Sequence, residues 1–133
     1  MASAADIHGT VFNNGSATLL ARVVGADAAA VAQADIASAA YTVYLLDDDD
    51  PDAGAAVTGH TAVAVAVADL IFDALQTDDL WDVDATGYNF RHILDVSEAQ
   101  AFAAAGVSYL VVFSLTPADG DQVILVRFRV RVI

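Results

Sequence analysis

Apolar and polar residues alternate along several stretches of the chain, and clusters of Gly, Asp, Asn and Pro separate these stretches. A period of two is typical of β-strands, because successive side chains point to opposite faces. In the final stretch, 122–133, every even position from Ile124 to Val132 is apolar, which predicts a face directed to the core. The stretch 107–115 is apolar on both faces. The predicted strands are 7–13, 17–24, 40–46, 60–68, 87–94, 107–115 and 122–133.

The order of these elements predicts an all-β fold, because the strands do not alternate regularly with helices. We expect an antiparallel β-sandwich of about seven strands with one or two short helices, in a single domain over 1–133. The turn TPADGD joins the last two predicted strands and indicates a hairpin. Helices are predicted for the alanine-rich segment 27–39 and for 96–106, which Gly106 would close. Residues 68–76 fit either a strand or a helix.

Composition limits the range of functions. The chain has 17 Asp, one Glu, five Arg and no Lys, and its formal net charge is −13. This charge repels nucleic acids and anionic membranes, so neither is an expected partner. Two origins fit the bias: a GC-rich genome, which also accounts for the many Ala and Val, and adaptation to high salt. Because the chain has no cysteine, it forms no disulfide and has no thiolate chemistry.

No targeting or membrane segment is visible in the sequence. The first residues, MASAADIHG, have neither the basic region nor the apolar region of a secretory signal. The longest apolar run, 61–72, is interrupted by Asp69 and is too short to cross a bilayer. The sequence by itself therefore predicts a cytoplasmic location.

Three of the five arginines lie at alternate positions of the final predicted strand. Arg127, Arg129 and Arg131 therefore share the face opposite the apolar one. One interpretation is a solvated face that balances nearby Asp residues and protects a sheet edge from aggregation. The other is a contact surface for an acidic partner, most simply another copy of the chain, because guanidinium groups pair with carboxylates through two hydrogen bonds. Further apolar contacts of this surface are predicted at Leu110, Val112 and Ile133.

Acidic clusters are the candidate metal sites. The stretch DDDDPD holds five carboxylates within six residues, and Ca²⁺ binds six to eight oxygen ligands. The stretch lacks the Gly and Glu positions of an EF-hand loop, so a solvated, self-repelling loop is the alternative. A second acidic stretch, 78–87, surrounds Trp81, which we expect to anchor that loop on the sandwich. The candidate calcium ligands are Asp47, Asp48, Asp49, Asp50 and Asp52.

We expect no enzymatic activity. The sequence contains neither the G-x-S-x-G motif of serine hydrolases nor a Gly-rich phosphate-binding loop. His8, His60 and His92 do not have the spacing of metal ligands, and His92 is expected to pack as a hydrogen-bonded histidine beside Tyr88 and Phe90. No cofactor is predicted, except calcium if the acidic loops bind it.

The stretch DATGYNFRHIL resembles the turn-then-strand signature of immunoglobulin-like (Ig-like) modules, in which an Asp and Gly turn precedes two inward-pointing residues. Residues 40–133 as a whole resemble the Ig-like modules of tailed-phage virion structural proteins. Unlike antibody domains, the chain has no cysteine pair, and its Trp81 precedes the strand instead of lying within it. The residues that carry the signature are Asp84, Gly87, Tyr88 and Phe90.

This resemblance implies a building block of a particle, such as a head-decoration, tail or baseplate component located in the virion. We therefore expect a non-enzymatic structural protein that forms a homo-oligomer or docks on other virion proteins. The alternative is a calcium- or ligand-binding module that uses its Asp-rich loops. Fold alone does not assign function, so both remain hypotheses at the level of sequence.

Overall fold

The computed structural model describes residues 7–12, 15–24, 30–46, 54–79, 81, 85–94, 96, 100–118, 120 and 123–133. These residues form nine strands, one four-residue α-helix and one turn of 3-10 helix. The all-β class is confirmed, with nine strands instead of about seven. The strands are β1 (Ile7–Val11), β2 (Thr18–Ala21), β3 (Ile36–Leu46), β4 (Gly54–Ala56), β5 (Val63–Val65), β6 (Ile71–Gln76), β7 (Tyr88–Ile93), β8 (Ser108–Pro117) and β9 (Ile124–Val132); the helix α1 is Val67–Leu70, and the 3-10 turn is Gln33–Asp35.

The strands are divided between two sheets. The large sheet has the order β1-β9-β8-β3-β4, and β5 also pairs with β3. The small sheet has the order β2-β7-β6. The predicted hairpin is confirmed, since β8 and β9 pair antiparallel from Ser108↔Arg131 to Leu115↔Ile124. The expectation of a wholly antiparallel sandwich is wrong in one place: β1 runs parallel to β9.

The two sheets pack face to face through aromatic and branched side chains. Phe90 of the small sheet lies 4.9 Å from Phe113 and 5.7 Å from Phe128 of the large sheet, measured between ring centroids. On β9, Val126, Phe128, Val130 and Val132 are all buried, which confirms the face predicted from the alternation. The opposite face of β9, with its arginines, is therefore the outer face of the large sheet.

Both predicted helices are absent from the described residues of their segments. In 27–39, only Gln33–Asp35 forms a single 3-10 turn, and β3 begins at Ile36. The long ladder between β3 and β8 outweighs the helix preference of alanine here. The predicted strand 60–68 is shorter than expected, because only Val63–Val65 pairs with β3 before α1 begins.

In the second predicted helix, 96–106, the described residues 96 and 100–106 are irregular and help to close the core. Ala101 and Phe102 are fully buried, and the Phe102 ring packs edge-on against Tyr109 at 5.5 Å. The backbone N–H of Ala104 donates to the Tyr109 hydroxyl at 3.1 Å, and that of Gly106 donates to the Val132 carbonyl at 2.8 Å. These contacts satisfy backbone groups that a helix would otherwise have paired internally.

Asn89 is a buried polar residue on the outer side of β7. Its side chain is 1% exposed, and its Oδ1 accepts a hydrogen bond from the Val23 N–H at 2.7 Å. Its Nδ2 donates to the carbonyls of Val23 and Val31, each at 2.9 Å. Asn89 therefore fastens the chain on either side of residues 24–30 to the small sheet.

Candidate functional site: the outer face of the large sheet

The three arginines of β9 lie in register with β8. Arg127 is opposite Val112, and Arg129 is opposite Leu110. Since each residue of a β-strand advances by about 3.3 Å, each arginine is roughly 7 Å from the next one along the strand. The structure thus brings five of the six residues predicted for the contact surface into two adjacent strands.

The position of β9 decides one of the earlier alternatives. β9 lies between β1 and β8 inside the large sheet, so its backbone is paired on both sides. The interpretation of the arginines as guards of a sheet edge is therefore wrong, because an edge strand needs protection and an interior strand does not. Charge balance within one copy and contact with a partner remain as explanations.

Exposure differs along this surface. Arg127 and Arg129 are half-buried and Arg131 is exposed. Leu110 is only 9% exposed and has little surface left to offer, whereas Ile133 is 55% exposed. The surface most accessible to a partner therefore lies at the end of β9 that carries Arg131 and Ile133.

Phe12 adds an aromatic side chain to this end of the sheet. It follows β1 directly, it is 74% exposed, and the preceding carbonyl of Val11 accepts a hydrogen bond from the Ile133 N–H at 2.9 Å. The sequence analysis missed Phe12, because nothing in the stretch IHGTVFN indicates that β1 pairs with the last strand. We call the outer surface formed by Phe12, Leu110, Val112, Arg127, Arg129, Arg131 and Ile133 the arginine face.

Charges of opposite sign occupy different elements in the described part of the chain. Strands β1, β8 and β9 carry no Asp or Glu. The carboxylates that the structure describes belong to the 3-10 turn, α1, β6 and the turn after β6. The 3-10 turn is connected to β6, because the Gln33 side chain donates a hydrogen bond to the Ile71 carbonyl. The described carboxylates are those of Asp35, Asp69, Asp73, Asp78 and Asp79.

A groove of about 400 Å³ opens between β5 and the end of β7, with Asp69 and Arg91 on its walls. His92 packs beside it, 5.2 Å from the Tyr41 ring and 5.3 Å from the Phe113 ring. Packing of His92 is confirmed, but its Nε2 is buried and has no hydrogen-bond partner among the residues that the structure describes. Burial lowers the pKa of His92, so the imidazole is neutral at pH 7.

The other histidine in this region is held by Tyr41. His60 is 2% exposed, and its Nδ1 is hydrogen-bonded to the Tyr41 hydroxyl at 2.8 Å. His60 and His92 both pack against the Tyr41 ring, with ring centroids 5.9 Å and 5.2 Å away.

The main candidate calcium loop, Asp47 to Asp50 with Asp52, lies outside the described residues. In the second acidic stretch, Asp78 accepts a hydrogen bond from the Tyr88 hydroxyl at 2.7 Å, and the Trp81 ring lies 5.7 Å from that of Tyr88. Burial and the neighbouring Asp78 raise the pKa of Tyr88. Within the described ranges, no three His, Asp or Glu side chains come together as a metal site.

None of the described helices is both long and apolar enough to span a bilayer, since α1 has only four residues. Comparison with known proteins adds no relative: no family model, curated protein or solved structure matches the chain.

Proposed function

We propose that this protein is a non-enzymatic structural module that assembles with copies of itself through the arginine face. The observation that carries the proposal is the separation of charge in a strongly acidic chain. Three of its five basic residues line one sheet surface, and the described carboxylates lie on other elements. One copy therefore offers a basic surface to the acidic surface of the next.

Electrostatics favour this mode of contact over others. Copies of net charge −13 repel one another in most orientations, so association requires the orientation that brings unlike charges together. Arginine suits such a contact because its planar guanidinium binds carboxylates through two parallel hydrogen bonds. A contact between two different surfaces of the same chain is head-to-tail, and it generates rings or filaments.

The exposed apolar residues supply the second component of the proposed contact. Phe12 and Ile133 are 74% and 55% exposed, and the Ile133 N–H donates to the carbonyl of Val11, the residue before Phe12. Aromatic residues and Arg are enriched at the energetically dominant positions of protein interfaces. An apolar anchor beside Arg131 would provide affinity, and the arginines would provide orientation.

We extend the proposal to a phage virion component on the basis of the resemblance in 84–94. In agreement with that signature, Tyr88 and Phe90 are both fully buried. The backbone at Gly87, directly before Tyr88, has φ of +102°, a conformation that glycine adopts readily. In a virion, the arginine face would contact other copies of the chain, and docking on a different virion protein is the other outcome that the experiment below distinguishes.

The test is the native mass in solution, measured by light scattering at 0.05 M and 1 M salt. We expect an oligomer at low salt that dissociates at high salt, because the Debye length falls to about 3 Å at 1 M. The combined replacement of Arg127, Arg129 and Arg131 by Ser, and separately Phe12→Ser, should give monomers with unchanged far-UV circular dichroism. Arg22→Ser is the matched control, since Arg22 is an exposed arginine on the small-sheet side.

Two results would overturn the proposal as stated. The first is a wild-type chain that is monomeric at both salt concentrations, which would leave only docking on a different protein. The second is an oligomer whose mass is the same in the triple Arg variant as in the wild type.

A further inference from the structure

The three most exposed large apolar side chains in the described part of the chain occupy two places. Phe12 and Ile133, 74% and 55% exposed, belong to the arginine face. Ile93, 60% exposed, lines the groove between β5 and the end of β7. Covering such side chains removes apolar surface from water, so each place gains free energy when another surface packs on it.

These two places lie toward opposite edges of the large sheet. Phe12 directly follows β1, at one end of the strand order, whereas β5 pairs with β3 on the side away from β8. Four strand spacings of about 4.8 Å separate β1 from β5, or roughly 19 Å in total. Phe12 therefore cannot reach the groove of its own copy, but it can reach the groove of a second copy.

The charges at the two places are complementary. Arg131 is exposed on the arginine face, and Asp69 is exposed on the wall of the groove. Arg91 also lines the groove, but its guanidinium carbon lies 5.1 Å from the centroid of the Phe72 ring, in a cation–π contact. Asp69 is therefore the groove side chain that attracts an incoming arginine.

The groove has the size and the lining to receive an aromatic side chain. Its volume of about 400 Å³ lies within the range of roughly 300–1,000 Å³ that is typical of small-molecule pockets. The rings of Tyr41 and His92 line it, with centroids 5.2 Å apart, and so do Val63 and Val65. A phenyl ring that enters the groove meets aromatic and branched apolar side chains, as the anchor residues of protein interfaces do.

We infer that Phe12 of one copy inserts into the groove of the next copy, where Arg131 of the first copy pairs with Asp69 of the second. This inference rests on the proposed self-assembly and names the surface that receives the arginine face. Because the inserted ring and the groove lie toward opposite edges of the sheet, the contact is head-to-tail. Each copy in such a pair retains one unused contact surface, through which further copies add.

The first experiment uses two variants that each lack one half of the contact. Phe12→Ser removes the inserted ring, and Asp69→Arg reverses the charge of the groove at an exposed position. In light scattering over a protein concentration series at low salt, each variant alone should associate at least about tenfold more weakly than the wild type. A one-to-one mixture should form heterodimers and nothing larger, because it combines the intact ring of one variant with the intact groove of the other.

The second experiment exchanges the charges of the named pair. Arg131→Asp alone should weaken the assembly, and the double variant Asp69→Arg/Arg131→Asp should recover most of it, because the ion pair is restored in the opposite sense. Asp79→Arg is the matched control, since it makes the same change of charge at an exposed position beyond the far end of β6. The control should assemble as the wild type does, which separates the groove from a general effect of net charge.

The outcomes distinguish this inference from the proposed function. If the triple Arg variant is monomeric but Asp69→Arg assembles like the wild type, the groove is not the receiving surface and the arginine-face proposal stands. If the wild-type chain is monomeric at both salt concentrations, the proposed self-assembly and this inference fail together. If Asp69→Arg does not fold, Ile93→Ser replaces it in the mixture with Phe12→Ser, and a mixture without heterodimers would overturn the inference.

Discussion

Among substitutions in the small sheet that leave its hydrophobic core unchanged, Asn89→Ala should be one of the most destabilising. The wild-type side chain makes one hydrogen bond to the Val23 N–H and donates two others to the carbonyls of Val23 and Val31. After truncation, the Val23 carbonyl still accepts from the Val31 N–H at 3.0 Å. The Val23 N–H and the Val31 carbonyl lose the partner that Asn89 provided, and both residues are buried.

The expected magnitude follows from these three bonds. A hydrogen bond contributes about 1 kcal/mol net, and a buried group left without a partner costs about 1–3 kcal/mol. We therefore expect Asn89→Ala to lower the free energy of unfolding by about 3 kcal/mol. Against a total stability of about 5–15 kcal/mol for a domain, such a loss is large but allows folding.

Asn89→Asp distinguishes hydrogen bonding from simple loss of packing. The aspartate retains the acceptor for the Val23 N–H but places an oxygen against two carbonyl oxygens where Nδ2 donated. At pH 7 this variant should be less stable than Asn89→Ala, because a buried charge meets two acceptors. As the pH falls, protonation of the new carboxyl restores a donor, so the difference should shrink or reverse.

Urea unfolding at pH 7 and at pH 4 measures these changes. With an m-value of about 1–3 kcal/mol/M, a loss of 3 kcal/mol shifts the midpoint by about 1–3 M. An Asn89→Ala variant that loses less than about 0.5 kcal/mol would refute the reasoning, as would an Asn89→Asp variant whose relative stability is independent of pH.

Three further predictions concern single positions. Gly87→Ala should lower the free energy of unfolding by more than about 3 kcal/mol, because its Cβ would lie 2.3 Å from the Gln76 carbonyl oxygen. Gly106→Ala, also at positive φ but with no heavy atom within 4 Å of its Cβ, should lower it by only about 1–2 kcal/mol, as measured in thermal melts. Because burial lowers the pKa of His92, the wild type should lose stability relative to His92→Phe as the pH falls below 6.5, and a constant difference between them from pH 7.5 to 4.5 would contradict this cause. The melting temperature should be the same in the presence of calcium as in the presence of a chelator. A stabilisation of about 2.7 kcal/mol, expected for calcium at a hundred times its dissociation constant, would instead favour the alternative that Asp47–Asp52 bind calcium.

The fold class could be predicted because the strongest signals in the sequence are local. The β8–β9 hairpin has a turn of recognisable composition between two strands of clear alternation, so both its pairing and the buried face of β9 follow from neighbouring residues. Tyr88 and Phe90 are buried, as the resemblance of their stretch to the Ig-like turn-then-strand signature implies.

The errors arose where distant contacts decide the structure. The alanine-rich segment before Ile36 has helix propensity, but pairing with β8 makes Ile36–Leu46 a strand. Phe102 belongs to a segment with capping residues suited to a helix, yet its burial against Tyr109 determines the local backbone. The exposure of Phe12 likewise depends on the parallel pairing of β1 with β9, which no local pattern reveals.

That parallel pairing has a consequence for the order of folding. Residues joined by the β1–β9 ladder are about 120 positions apart, so closing this loop costs about 2 kcal/mol more entropy than closing the β8–β9 turn. β1 should therefore be the last strand of the large sheet to dock and the first to detach, in a local opening that leaves the hairpin intact. Each such opening exposes the backbone of β9 on one side only. In hydrogen exchange, the amides of β9 that face β1 should then exchange with solvent sooner than the amides that face β8.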